Sequence, residues 1–282
     1  NGNHFTNFDI SNNKKLNFLS CSYNSFDSLD FSENKDLTSI YCYNNKIVYL
    51  NVSKNKNLLY LNCEQNNLSN IDISNNKKLK NLNCSKNKIN SINLTKNKNL
   101  EELYCSYNNI EDLDLSKNRK LVSLLCFNNN ITNLNLNRNT KLKYLSCLNN
   151  KLTKLKLSRN KKLRYLSCSS NNLKSLNLSK NKRLQTIECD NNDIESLDFS
   201  KIDFLIKVLC NNNNLKKINL KNNVQLNFLN CSYNKLEKLD ISNNRMLKNL
   251  YCSNNKLSSL NITKNWQLRE IDCSDNQIST LD

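Results

Sequence analysis

The chain of 282 residues lacks proline and alanine altogether and has only one glycine and one histidine. The single histidine, His4, cannot build a zinc site alone, and no Cys-x-x-Cys spacing occurs that would add paired thiolates. No apolar run approaches the roughly 20 residues that a membrane-spanning helix needs. The sequence therefore indicates no metal site, no cofactor and no membrane span.

The scarcity of glycine also restricts how the chain can turn. A turn that needs a left-handed backbone must use Asn, the other residue that tolerates this conformation. The Asn amide can bond free backbone groups at a bend, and stacked Asn side chains can bond from one coil to the next. Abundant Asn is thus expected to replace glycine in the turns.

All 13 cysteines fall on one 21-residue period that runs from Cys21 to Cys273 without a slip. Asn follows each Cys by three residues, Leu precedes it by five, and further apolar residues stand two before it and five, eight and ten after it. A second Asn stands thirteen residues after each Cys from Cys21 to Cys252, except that Ile202 occupies this position after Cys189. A fixed period of this length predicts a solenoid, in which each coil completes the core of its neighbours.

Each repeat reads L-x-x-L-x-C-x-x-N-x-L-x-x-L-D-L-S-x-N-x-x. This pattern resembles the leucine-rich repeat family, whose signature is L-x-x-L-x-L-x-x-N/C-x-L, with Cys in place of the third Leu. It is most similar to the 21-residue bacterial class sometimes called IRREKO, in which the motif is nested inside itself. The resemblance covers essentially the whole chain, and it implies a secreted or cell-surface interaction protein.

We therefore expect one leucine-rich repeat domain over residues 1–282, with 13 Cys-centred repeats and a partial repeat at each end. The fold class is a mainly β solenoid, a rod or shallow arc of roughly 60 Å at about 4.8 Å per strand. One side carries a parallel sheet of about 13 strands, the other short strands or extended coil, with little or no helix. The chain begins and ends within repeats, which predicts that it is part of a longer protein.

The cysteines are predicted to be free and buried. Each stands in an inward column, two residues after an aliphatic side chain, and behaves there as a small hydrophobe. Neighbouring Cys side chains in a parallel ladder point the same way, which suits the roughly 90° torsion of a disulfide poorly.

Outward side chains next to each Cys form what we call the first face: the residues three and one before it, and one and two after it. Ten of the eleven tyrosines lie there, Tyr49 being the exception. Tyr is enriched at binding surfaces, although aromatic residues also favour strands in general. The candidate partner-binding residues are Tyr41, Tyr43, Tyr60, Tyr104, Tyr107, Phe127, Tyr144, Tyr165, Phe228, Tyr233 and Tyr251.

The net charge of +18 is kept away from this face. The first face holds two lysines, Lys86 and Lys207, against seven acidic residues, while basic residues such as Arg138 and Arg159 crowd the turn after the second strand. A specific nucleic-acid reader would combine basic and aromatic groups in one groove. The sequence favours a protein or peptide partner, with polyanion or glycan attachment through the basic edge as the alternative.

The second strand presents what we call the second face, with Asp or Asn nine residues after Cys and Ser or Thr eleven after. Asp and Asn alternate from coil to coil from Asp30 to Asp114 and again from Asp198 to Asp282, which avoids repulsion between like charges and indicates a structural role. A calcium ladder is a poorer explanation, because no Gly-Asp repeat is present. Glu188 with Asp190 is the only tempting acid–base pair, and on an open face it does not indicate an enzyme.

At one edge of the solenoid, the positively charged or polar residues of most earlier coils are replaced by apolar ones. Fourteen and fifteen residues after Cys, the last four full coils carry apolar side chains: Phe204, Val224, Met246 and Trp266. An exposed apolar strip usually marks a contact site. We expect these four to form an apolar strip that packs against a missing C-terminal segment or a second copy of the protein, with scattered repeat decay as the alternative.

Overall fold

The computed structural model describes residues 2–281. Packing of the backbone divides the chain into two compact units, residues 1–141 and residues 142–282. A single domain over residues 1–282 stays a prediction, and Asn1 and Asp282 lie outside the described residues.

The first unit contains eight three-residue strands. They are β1 Phe18–Ser20, β2 Ser28–Asp30, β3 Ser39–Tyr41, β4 Tyr49–Asn51, β5 Tyr60–Asn62, β6 Asn81–Asn83, β7 Glu102–Tyr104 and β8 Ser123–Leu125. Strands β1, β3, β5, β6, β7 and β8 pair in parallel in that order, each residue opposite the one 21 positions further along. On the other side only β2 and β4 pair, with an isolated bridge between Asp112 and Asn133.

The second unit repeats this plan. Its strands are β9 Tyr144–Ser146, β10 Tyr165–Ser167, β11 Thr186–Glu188, β12 Ser196–Asp198, β13 Lys207–Leu209, β14 Lys217–Asn219, β15 Phe228–Asn230, β16 Asn249–Tyr251, β17 Ser259–Leu260, β18 Glu270–Asp272 and β19 Thr280–Leu281. Strands β9, β10, β11, β13, β15, β16 and β18 pair in parallel in that order. On the other side β12 pairs with β14 and β17 with β19.

The predicted fold class is confirmed. Thirteen strands precede the thirteen cysteines, short strands and extended coil form the opposite side, and residues 2–281 contain no helix, hence none that could cross a membrane. Each first-face strand ends one residue before its Cys, whose N–H continues the ladder, as Cys105 does to the Leu125 carbonyl at 2.8 Å. The middle residue of the strand points inward, so Leu103 is buried between Glu102 and Tyr104.

The cysteine prediction is also correct. All thirteen thiols are free, Cys21 to Cys252 are buried, and Cys273 in the last coil is half-buried. Burial raises the pKa of Cys105 and Cys147 to about 12, because a thiolate would lose its hydration in the core. These two cysteines therefore serve as packing and are not reactive thiolates at neutral pH.

Both Asn columns act as ladders between coils, as the sequence predicts. Asn108 donates through Nδ2 to the carbonyls of Cys84 at 3.0 Å and Cys105 at 3.1 Å, while its Oδ1 accepts the N–H of Ile89 at 2.9 Å. In the second ladder, Asn118 donates to the carbonyls of Leu94 and Asn97. These side chains satisfy backbone groups that the short strands leave free.

Candidate recognition surface

Every first-face turn uses a left-handed residue. The residue two after each Cys has φ between 51° and 55°, at thirteen positions in all. Asn occupies six of them, as expected from the lack of glycine, but Tyr23, Tyr107 and Tyr233 occupy three others. A bulky side chain pays a steric cost of roughly 1–2 kcal/mol for this conformation, which Asn relieves locally. The three tyrosines are thus kept where the backbone disfavours them.

Aromatic rings of adjacent coils meet in pairs. In one kind of pair, a ring three residues before one Cys meets a ring one residue before the next Cys. The ring centres lie 5.6 Å apart for Phe18 with Tyr41 and 5.5 Å apart for Phe228 with Tyr251. In the other kind, a ring two residues after one Cys meets, edge to face, a ring one residue after the next Cys. The ring centres lie 5.2 Å apart for Tyr23 with Tyr43 and 5.3 Å apart for Tyr107 with Phe127. Such pairs favour fixed ring orientations and preorganise the surface.

In the first unit a carboxylate organises the tyrosine beside it. The hydroxyl of Tyr104 donates to Glu102 Oε2 at 2.8 Å, and the Asn81 amide donates to the same oxygen at 2.6 Å. Partial burial, together with this bond to an anion, raises the pKa of Tyr104. In the two preceding coils, Lys86 forms a 3.0 Å ion pair with Glu64, which raises the pKa of Lys86.

In the second unit five side chains form a continuous polar and aromatic network. Tyr165 donates to Glu188 Oε2 at 2.8 Å, and Lys207 Nζ lies 3.5 Å from Glu188 Oε1. The same ammonium lies 5.7 Å from the centre of the Phe228 ring, which contacts Tyr251. Partial burial and the bond to Glu188 raise the pKa of Tyr165 to about 12. The network fixes side chains across strands β10 to β16.

None of the eleven predicted partner-binding residues is buried. Tyr60, Tyr107, Tyr144 and Tyr233 are exposed, and the other seven are half-buried. Tyr41, Tyr43, Tyr60, Tyr104, Tyr107 and Phe127 lie in the first unit, and the remainder lie in the second. Their role in binding stays a prediction.

Two features of this face differ from the sequence analysis or extend it. Serines one after Cys, such as Ser22, Ser106 and Ser232, were expected to face outward but are buried. Glu102, Glu188 and Lys207 were not predicted as site residues, yet they connect the aromatic groups. Their shared first-face columns with the tyrosines are the signal that could have identified them.

The carboxylates of the tempting catalytic pair are both engaged. Glu188 binds Tyr165 and Lys207, and Asp190 accepts from the Ser169 hydroxyl at 2.6 Å. They therefore act as hydrogen-bond and ion-pair partners on this face. Across residues 2–281 no group of three or more His, Cys, Asp or Glu side chains is placed to hold a metal ion.

On the second face the Asp and Asn column caps the following turn. Asp114 Oδ1 accepts the N–H of Ser116 at 2.8 Å, which lowers the pKa of Asp114, and Asn177 accepts the N–H of Ser179 at 3.1 Å. The amide of Asn51 also donates to Asp30 in the preceding coil. Both residue types therefore serve as turn caps in this column, and a structural reason for their alternation stays a prediction.

The apolar strip is exposed along its length in the second unit. Phe204, Val224, Met246 and Trp266 expose between 45% and 69% of their surface, Trp266 the most. The Arg245 guanidinium lies 5.7 Å from the Trp266 ring centre. What this strip contacts stays a prediction.

No protein-family model and no curated protein matches the chain. Among solved structures, the functional domain of InlJ from Listeria monocytogenes, which includes a cysteine ladder, is 36% identical with a TM-score of 0.93 over 97% of this chain. This chain spans 61% of that one. A leucine-rich repeat protein from Leptospira interrogans is 23% identical with a TM-score of 0.89, covering 98% of this chain and 77% of that one.

A third solved structure is a plant peptide hormone receptor, RGFR1, in complex with RGF2. It is 20% identical with a TM-score of 0.73, covers 95% of this chain and 52% of its own, and shows the fold alone. The 21-residue period, the buried cysteine column and the likeness to InlJ lead to one assignment. The chain belongs to the leucine-rich repeat proteins, and its 21-residue repeats and buried cysteine column are similar to those of InlJ.

Proposed function

We propose that the chain is a non-catalytic recognition module that binds a protein or peptide through its first face. The observation that carries this proposal is the presence of Tyr23, Tyr107 and Tyr233 at left-handed positions, where Asn would be less strained. Local strain is expected where a surface is used for binding, and the exposed Tyr233 forms no ring pair within residues 2–281 that would offset its strain.

Two further features support a binding role. The ring pairs and the network from Tyr165 to Tyr251 are ordered before any partner arrives, which reduces the entropy lost on binding. The receptor RGFR1, which shares the fold, is in complex with RGF2. We further propose, from the likeness to InlJ, a bacterial surface or secreted protein.

The test is a selection of displayed peptides against the purified chain, followed by affinity measurement for the selected peptides. Replacing Tyr107 and Phe127 with Ala should weaken binding by more than about 1 kcal/mol each if they are hot spots. Tyr49→Ala is the matched control, since Tyr49 is an exposed tyrosine on the second-face side. Equal loss in the control, or unchanged affinity in both first-face variants, would dismiss the surface.

A further inference from the structure

The positive charge of the chain is concentrated in two coils of the second unit. Residues 142–187 contain no acidic residue. Their twelve basic residues are Lys143, Lys151, Lys154, Lys156, Arg159, Lys161, Lys162, Arg164, Lys174, Lys180, Lys182 and Arg183. None of the twelve lies on the first face, and within residues 2–281 none of them forms an ion pair. Such uncompensated repulsion costs stability and attracts anions.

The second face of these coils holds a groove of about 330 Å³. Lys154, Lys156 and Ser158 line it from one coil, and Ser175 and Asn177 line it from the next. The corresponding groove in the first unit is lined by carboxylates of Asp112 and Asp114 together with Arg138. The two grooves share a backbone plan but carry opposite charge at the same repeat positions.

Lys156 breaks the rule of its column. The residue nine after Cys is Asp or Asn in every other coil of the sequence, and wherever the structure describes this residue its oxygen accepts the N–H two residues later, as Asn177 does for Ser179. Lysine has no acceptor. The N–H of Ser158 consequently has no partner in the described structure and lies beside the groove.

We propose that this groove binds a sulfate group of an anionic glycan, with the basic turn residues holding the rest of the glycan. Two ammonium groups, a free backbone N–H and the Ser175 hydroxyl are the donors that a tetrahedral oxyanion accepts. Lys156 also lacks the Asx cap that Asp or Asn makes at this position in the other described coils, as Asn177 does.

The surroundings favour a glycan over a nucleic acid. Single-stranded nucleic acids bind by stacking their bases on aromatic side chains within a basic groove. The only aromatic residues between 142 and 187 are Tyr144 and Tyr165, and both lie on the first face. The groove instead offers hydroxyl and amide groups, which suit sugar hydroxyls. This site is independent of the first-face proposal.

The test measures binding of a fluorescent heparin octasaccharide to the full chain at low and moderate salt. The double variant Lys154→Gln with Lys156→Asn should bind at least about tenfold more weakly, since it removes two charge-assisted contacts. It should melt at the same or a higher temperature, because the introduced Asn side chain restores the cap. The matched control, Lys217→Gln with Lys238→Gln, loses the same charge from the column of Lys154 and should change affinity less than about threefold.

Equal loss in the two double variants would show that net charge alone attracts the ligand and would overturn the site. Undiminished binding by the Lys154 and Lys156 variant would overturn it as well. Octasaccharide stripped of sulfate should not bind. Tighter binding of an oligothymidylate or a polyphosphate of equal charge would overturn the glycan assignment.

Discussion

The hydroxyl of Tyr165 donates a 2.8 Å hydrogen bond to Glu188 in the next coil, and burial together with this bond raises its pKa from the ordinary 10 to about 12. The folded state therefore holds the tyrosine proton more tightly than the unfolded state does. This contribution to stability is fully present below pH 10 and is lost as the pH rises through 12. Tyr165→Phe should remove that dependence, so the difference in unfolding free energy between wild type and variant should shrink between pH 10 and about pH 12.

Urea titrations of both proteins at several pH values measure this difference. Comparing the two proteins cancels the loss of lysine charge, which both share. A constant difference across the range would mean that Tyr165 titrates normally in the folded state.

Replacing a left-handed tyrosine with Asn separates stability from binding. Tyr233 is 57% exposed, and its ring forms no pair within residues 2–281, so Tyr233→Asn should raise the free energy of unfolding by up to about 1 kcal/mol. Tyr107→Asn should gain less, because it also loses the edge-to-face contact with Phe127, which is worth about 0.5–1.5 kcal/mol. Destabilisation by Tyr233→Asn in a urea titration would contradict the strain argument.

The Asn ladder should be a major source of stability. Asn108→Ala removes the four hydrogen bonds of this side chain and leaves buried backbone groups unpaired, so it should cost about 3 kcal/mol. Asn109 is exposed and adjacent, which makes Asn109→Ala the matched control. Hydrogen exchange should show faster exchange at the Ile89 N–H in the first variant only. Equal exchange in the two variants would remove the ladder from the explanation of stability.

The buried cysteine column predicts a specific pattern of thiol reactivity. At about pH 8 in native buffer, Cys273 should react first with a thiol reagent, because it alone is partly exposed. The other twelve thiols are buried and should react only when the coils open. Cys273→Ser should abolish the fast phase, whereas several fast thiols in that variant would mean that the core is open.

The repeat predicts much of this structure because every rule recurs thirteen times. The 21-residue spacing of the cysteines and the Asn columns identifies the inward side chains and the contacts between coils, so the burial of Cys105 and the bonds of Asn108 follow from this spacing. The pairing of side chains across coils cannot be predicted from the spacing, because it depends on which two residues are adjacent. The bond from Tyr165 to Glu188 and the burial of Ser106 are therefore seen only in the structure.

The apolar strip carries the last prediction, a contact with a second copy of the chain. Trp266 is 69% exposed beside Arg245, and burying it with Phe204, Val224 and Met246 would remove a row of apolar groups from water. Sedimentation should show self-association with increasing concentration, and Phe204→Lys with Trp266→Lys should abolish it. Val48→Lys with Tyr49→Lys, an exposed apolar pair in the first unit, should not. A wild-type monomer at all concentrations, with tryptophan emission typical of a hydrated indole, would exclude self-contact at this edge.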